Sequence, residues 1–155
     1  ELRLCGLHSL DSCRIEKAYR HFGHDITDED HVLEAGLGFA VKVDKGEFLG
    51  RDAVLKRKEK GLRKVLLQFC LLDPEGMMFH NEPILRDGNY VGYISSANYG
   101  HFLGGAVGLG YVPCLNENLQ DVLASRYQID IAGRHFEAQV SAKPMYDPKS
   151  LRVKV

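Results

Sequence analysis

The segment Ile84-Leu85-Arg86-Asp87-Gly88-Asn89-Tyr90-Val91 decides the reading of the fold. Two strand-like runs flank Asp-Gly, and a two-residue hairpin turn needs positive φ at both central positions, which Asp and Gly tolerate. Tyr93 to Ala97 prolongs the second run. Upstream, Val65 to Leu72 is apolar except at Gln68 and stops at Asp73-Pro74-Glu75-Gly76, a strand and then a turn. Downstream, Ala106 to Val112 is a glycine-rich strand. Tyr127 to Ile131 alternates, Ala132-Gly133-Arg134 turns the chain, and Phe136, Ala138, Val140 and Ala142 alternate again, a second hairpin. About six strands with glycine-rich turns result, and a small antiparallel barrel hides their edges.

The N-terminal third differs in texture. Residues 7–23 have partly helical spacing through Leu10, Cys13, Ala18, Tyr19 and Phe22, with Gly23 as the expected stop. Residues 24–34 are polar and acidic and read as a surface loop. Leu37 to Val43 is a short apolar run ending at Asp44-Lys45-Gly46, a turn signal. Phe48 to Lys60 is the clearest helix, closed by Gly61, with basic residues suiting the negative end of its dipole. The seam between the two textures falls near Gly61–Lys64. The fold class is therefore α+β and β-rich.

Composition excludes several classes. A net charge of −1 gives no electrostatic reason to expect nucleic acid or an anionic membrane surface. No apolar run approaches the roughly 18 residues of a membrane helix. The chain opens at Glu1 with neither an initiator Met nor a signal-peptide layout, so sequence upstream is expected. Cys5, Cys13, Cys70 and Cys114 form no C-x-x-C pair and are expected to be free, mostly buried thiols in a reducing compartment. The seven histidines show no metal-ligand spacing, so no metal is expected. No dinucleotide fingerprint surrounds Gly104-Gly105, and Ser95-Ser96 lacks a nucleophile-elbow context.

Several segments, in order, resemble the glycine-cleavage T-protein (aminomethyltransferase) superfamily. They are Asp11 to Tyr19 (DSCRIEKAY), Gly23 to Thr27 (GHDIT), Leu33 to Leu37 (LEAGL, with Val32 where the pattern has Pro) and Asp44 to Arg51 (DKGEFLGR). Asp87-Gly88, Gly92 to Ser96, Gly108 to Pro113 and Tyr146-Asp147-Pro148 continue the series. Arg14 to Gly23, RIEKAYRHFG, is most similar to the dimethylglycine and sarcosine dehydrogenase-type flavoproteins.

The resemblance implies that residues 1–62 end a folate-binding aminomethyltransferase body and that residues 63–150 form a Greek-key or jelly-roll-like C-terminal barrel. It implies tetrahydrofolate as ligand, FAD in an N-terminal part outside this chain, and those N-terminal domains as partners. The parent would oxidatively demethylate dimethylglycine or sarcosine and pass the one-carbon unit to tetrahydrofolate. Its compartment would be the mitochondrial matrix in a eukaryote and the cytoplasm in a bacterium. A T-protein fragment, or a non-catalytic relative such as the pyruvate dehydrogenase phosphatase regulatory subunit, remains an alternative. No catalytic residue is assigned within this chain, and the piece alone is expected to be inactive.

Glu16 matches the family Glu that grips the pterin. A carboxylate can accept the ring N–H and amino group together, and charge-assisted bonds of this kind are the strong ones. A surface pair with Arg20 at i,i+4 is the plainer reading of the residues. Arg63, with Lys64 as rival, matches an Arg near the folate tail, where a planar fork suits a carboxylate; a solvated basic cluster is the alternative. Tyr19 lines the folate pocket or packs in the core.

Overall fold

The computed structural model describes residues 2–154. Helix α1 spans Leu7–Glu16 and helix α2 Arg51–Lys60. Six strands follow: β1 Lys64–Leu71, β2 Pro83–Arg86, β3 Asn89–Gly100, β4 Gly105–Pro113, β5 Tyr127–Ile131 and β6 Arg134–Ser141, with helix α3, Leu119–Ala124, before β5. They close into a barrel in the order β1-β4-β3-β2-β5-β6, every pairing antiparallel. Strands β2, β3 and β4 form a meander, and β1 lies beside β4. The β1-β4-β3-β2 run is therefore a Greek key, and residues 72–82 carry the long return.

The turns behave as their residues require. Asp87 and Gly88 have φ of 51° and 81°, and Ala132 and Gly133 have 52° and 81°, so both hairpins turn with two positive φ values. Inside the barrel Phe69 meets Tyr127 edge-on at 5.5 Å between ring centroids, surrounded by Ile84, Ile94, Val112 and Ile129, all buried. The Tyr127 hydroxyl donates to the Val122 carbonyl at 2.8 Å, which satisfies it in the core. Strands β3 and β4 approach closely at glycines. A Cβ on Gly110 would stand 2.6 Å from Ile84 Cδ1 and 2.7 Å from the Tyr93 carbonyl. On Gly92 it would run into the Tyr111 carbonyl.

The N-terminal segment departs from expectation. Helix α1 ends at Glu16, and Gly23 does not stop it. The Ala18 N–H bonds the Ile15 carbonyl and the Tyr19 N–H the Arg14 carbonyl, both at 2.8 Å. That pair of bonds, with Ala18 at φ 52°, is a Schellman termination in which Ala occupies the usual glycine position. Gly23, at φ 93°, instead turns the chain between Phe22 and Ile26. The buried face of α1 is also not the expected one: Leu10 is exposed and so is Cys13, while Ser12, Ile15 and Glu16 are buried. Helix α2 begins at Arg51, later than Phe48, and buries no residue. Leu37 to Val43 contains a 3-10 turn at Gly38–Ala40. No helix among the described residues is long and apolar enough to cross a membrane.

Candidate functional site

Polar side chains pin the N-terminal segment to the barrel, and Asp25 is the centre of the largest cluster. Its carboxylate is 1% exposed. Oδ2 accepts from Arg14 Nη1 at 2.6 Å and from the His21 amide at 2.9 Å. Oδ1 accepts from the Ser95 and Ser96 hydroxyls on β3, at 2.5 and 2.6 Å. Arg14 is held in turn by Asp11 at 2.9 Å. With four donors shared between its two oxygens the carboxylate has no position left for a substrate proton, so this cluster is an anchor.

Glu34 makes a second anchor. It is fully buried, and Oε1 accepts from the Arg63 amide at 3.0 Å and from Arg63 Nε at 3.3 Å. Burial by itself pushes the Glu34 carboxyl up, but the Arg63 bonds outweigh it and hold the group below its ordinary range. Asp30 behaves alike: burial opposes, and Lys64 Nζ at 2.7 Å wins. Neither anchoring carboxylate is evident in a stretch that reads as a polar surface loop. That stretch is irregular, as expected, but its Asp25 and Glu34 face inward.

Glu16 is 6% exposed. Its Oε1 accepts the Phe102 and Leu103 amides of the β3–β4 turn at 2.8 and 3.0 Å. Its backbone carbonyl accepts from Gln68 Nε2 at 3.1 Å, and Gln68 Nε2 also bonds the Ile15 carbonyl at 2.7 Å. Gln68, the one polar residue of the apolar β1 run, is 2% exposed and takes the Met145 amide on Oε1 at 2.7 Å. No hydrogen bond is made to Glu16 Oε2 among the described residues. Arg20 does not pair with Glu16; its guanidinium bonds the Ala35 and Ala18 carbonyls.

The other two expected contacts open onto separate clefts. Arg63 and Lys64 border a cleft of about 730 Å³ between the 24–30 loop and the strand edges, beside Asp25, Glu29, Asp30 and Tyr93. Arg63 is anchored through Nε alone, so its two terminal nitrogens carry no bond among the described residues. Lys64 is occupied by Asp30 and lies 4.2 Å from the Tyr111 ring centroid. Tyr111 has its hydroxyl enclosed without a partner; burial and the nearby Asp30 and Asp25 charges push this phenol far up. Tyr19, 57% exposed, lines a different cleft of about 440 Å³ with Lys17, Arg20, Phe39, Lys143 and Pro144. Glu16 lines neither cleft. The three expected contacts are thus distributed and do not share one pocket.

All four cysteines are free, as expected, but Cys5 and Cys13 are exposed and only Cys114 is buried, because the α1 face that carries Cys13 turns outward. Among the described residues no three His, Cys, Asp or Glu side chains gather as a metal site.

Comparison with known proteins agrees with this architecture. The profile described as the glycine cleavage T-protein C-terminal barrel domain matches residues 64–147, and that of the GCVT N-terminal domain matches residues 1–45. A 4-methylaminobutanoate oxidase (formaldehyde-forming) of Paenarthrobacter nicotinovorans is 40% identical over 99% of this chain and 18% of its own length. Mitochondrial sarcosine dehydrogenase of Mus musculus is 36% identical over 96% of the chain and 16% of its own. An aminomethyltransferase of Halothermothrix orenii is 42% identical over 69% of the chain and 30% of its own. The chain therefore spans less than a third of each of these relatives. The crystal structure of glycine cleavage system aminomethyltransferase T from Bartonella henselae superposes with a TM-score of 0.76 at 24% identity, over 89% of this chain and 38% of that one, which speaks to the fold. With a Greek-key barrel preceded by a helical segment, and with both halves matched in order, the chain belongs to the glycine-cleavage T-protein superfamily and corresponds to its C-terminal part.

Proposed function

We propose that this chain is the tetrahydrofolate-binding C-terminal portion of a longer flavoprotein that oxidatively demethylates dimethylglycine, sarcosine or a related N-methyl amine. The one-carbon unit then passes to tetrahydrofolate as 5,10-methylenetetrahydrofolate. The observation that carries this reading is the near end-to-end similarity to two proteins named for oxidising methylated amines. FAD would be held by residues upstream of those described. Within this chain the role is positioning: holding the folate so that its reactive nitrogen meets the one-carbon unit away from water.

Glu16 fits a pterin edge in one respect. The amides of Phe102 and Leu103 fix Oε1, which leaves Oε2 to accept from the ring. A grip using both oxygens would require the carboxylate to share Oε1 with those amides. Arg63, with its terminal nitrogens free, is the proposed contact for a tail carboxylate, and Tyr19 for a ring face.

The test uses the full-length parent. Isothermal titration with 5-formyltetrahydrofolate should give saturable binding, and Glu16→Ala should weaken it tenfold or more, about 1.4 kcal/mol, as expected on losing a charge-assisted bond. Equal affinity in that variant would place the pterin elsewhere. No binding by the parent would favour the reading suggested by the pyruvate dehydrogenase phosphatase regulatory subunit of Mus musculus, 35% identical over 93% of this chain. Flavin reduction by sarcosine or dimethylglycine without folate binding would favour a free-formaldehyde product.

A further inference from the structure

The barrel closes through β6, which ends at Ser141, so residues 145–152 add nothing to its ladders. They are nonetheless tied down, and in one place. Among the described residues, every hydrogen bond that leaves this segment ends on Gln68, Glu16 or Lys17. The Met145 amide donates to Gln68 Oε1 at 2.7 Å, and the Tyr146 amide to the Glu16 carbonyl at 3.4 Å. Lys17 Nζ donates to the Asp147 carbonyl at 2.7 Å, to Asp147 Oδ2 at 3.4 Å and to Ser150 Oγ at 3.2 Å. Asp147 also folds the segment onto itself. Its Oδ1 accepts from the Leu151 amide at 2.8 Å and its Oδ2 from the Arg152 amide at 3.3 Å. Asp147 and Ser150 have φ of 43° and 52°. Left-handed backbone is costly outside glycine and persists only where surrounding bonds over-determine it; here those bonds converge on Lys17.

The same segment reaches the other side of Glu16. The Glu16 carboxylate is clasped by the Phe102 and Leu103 amides, and the Phe102 ring packs on Tyr146 at 4.4 Å between centroids. The Arg152 guanidinium lies over both rings, 5.1 Å from Phe102 and 5.7 Å from Tyr146, a cation–π arrangement. Glu16 thus has its main chain fixed by Tyr146 and Gln68, its neighbour Lys17 by Asp147, and the turn that grips its carboxylate by Tyr146 and Arg152. Gly100 leaves little slack, since a Cβ there would stand 2.9 Å from Glu16 Oε1. A binding group fixed before its ligand arrives loses little side-chain freedom on binding.

We propose that residues 145–152 are a strap that holds Glu16 in its ligand-accepting orientation, and that Asp147 is the positioning residue that closes it. This rests on the reading of Glu16 as a folate contact. It adds a residue that acts only through Lys17 and the 102–103 turn.

The test is a double-mutant cycle on the full-length parent, read by titration with 5-formyltetrahydrofolate and by hydrogen–deuterium exchange of the peptide spanning the β3–β4 turn. Asp147→Ala should raise exchange at Phe102 and Leu103 about tenfold while the amides of β1 and β4 stay protected. Its affinity for 5-formyltetrahydrofolate should fall about fivefold, as on losing a hydrogen bond to a charged group. Asp147→Asn keeps an acceptor for the Leu151 amide and tolerates a positive φ, so its affinity should fall less. In a Glu16→Ala background, Asp147→Ala should change affinity by less than about twofold, because its action runs through Glu16. A residue that only supports the fold would add its full loss there, and such additivity overturns the proposal. The exposed Arg152→Ala leaves Asp147 in place and should raise exchange at Phe102 and Leu103 severalfold. If Asp147→Ala fails to fold, unchanged exchange at these amides in Arg152→Ala overturns the strap; unchanged exchange in a folded Asp147→Ala does so as well. Binding by the parent that Glu16→Ala does not weaken removes the assignment but leaves the folate reading standing. A parent that binds no 5-formyltetrahydrofolate removes that reading, and this assignment with it.

Discussion

The barrel and the segment before it are held together by different forces. In the barrel, β1 to β6 close on themselves, and apolar side chains such as Phe69, Ile84, Ile94 and Ile129 are buried completely. The segment has two ten-residue helices and almost no core. Helix α2 buries nothing, and the α1 residues that are buried include Ser12 and Glu16. It is attached instead through charges and single hydrogen bonds: Arg14–Asp25–Ser95/Ser96, Arg63–Glu34, Lys64–Asp30, Gln68 to the end of α1, and Ser12 Oγ to the Tyr99 carbonyl at 2.7 Å. Apolar burial is undirected and tolerant, whereas buried charge networks are all or nothing, because a half-satisfied one leaves a bare charge. The barrel should therefore lose stability by degrees, and the junction by release of the whole segment.

The sharpest contrast comes from Phe69→Ala against Arg14→Ala. Phe69→Ala should cost about 3–5 kcal/mol and lower the melting of the whole domain. Arg14→Ala strands the Asp25 carboxylate and should cost a similar amount, about 3–5 kcal/mol, but hydrogen exchange should rise first across residues 14–37 while the barrel amides stay protected. Uniform exchange across both regions in Arg14→Ala would dissolve the distinction. Next in size is Gly92→Ala, which forces β3 away from the Tyr111 carbonyl and should cost about 1–3 kcal/mol, visible as a lower denaturant midpoint with the junction spectra unchanged.

A smaller effect follows from pH. The carboxyls of Glu34 and Asp30 are held below their ordinary 4.5 and 3.8. A depressed folded-state value contributes stability that is complete above the unfolded value and is lost as pH falls through the folded one. The junction should accordingly loosen below about pH 4 while staying flat from pH 6 to 8. Glu34→Gln combined with Asp30→Asn should flatten that acid limb in a melting-temperature profile. The smallest effect is expected for Ala18→Gly. Glycine relieves the positive φ at the end of α1, but it removes a buried methyl and loosens the unfolded chain, so a net change within about 0.5 kcal/mol is expected in denaturant unfolding.

The two regions were also unequally legible. Both hairpin turns could be placed from the chain alone, because Asp87-Gly88 and Ala132-Gly133 meet a local backbone requirement that no distant contact needs to supply. The end of α1, at Glu16 rather than near Gly23, is not legible in the chain for the complementary reason. Ala18 adopts the left-handed conformation because it is packed against Leu66 and Leu109, a constraint that arises on β1 and β4 and leaves no mark beside Ala18. The polar stretch 24–34 hid two buried carboxylates, since charge in a sequence reads as surface until its partner is located. One clue was available: Gln68 interrupts an otherwise apolar strand, and it proves to tie the end of α1 to Met145, in the segment after β6. Of the site, Glu16, Arg63 and Tyr19 stand out by motif resemblance, but no motif carries their distribution over separate surroundings or the absence of a carboxylate beside Arg20 among the described residues.

Local backbone chemistry and the alternation of apolar residues determined, from the sequence by itself, that this protein would make six antiparallel strands and close them, because edges left open in so small a sheet would be exposed. Which strand lies beside which, which face of α1 turns inward, and which cleft is free of acids were decided only by the tertiary structure. Each depends on residues separated by tens of positions, such as Arg14 with Ser96 or Lys17 with Asp147, and their meeting is a property of the closed barrel rather than of any stretch of chain.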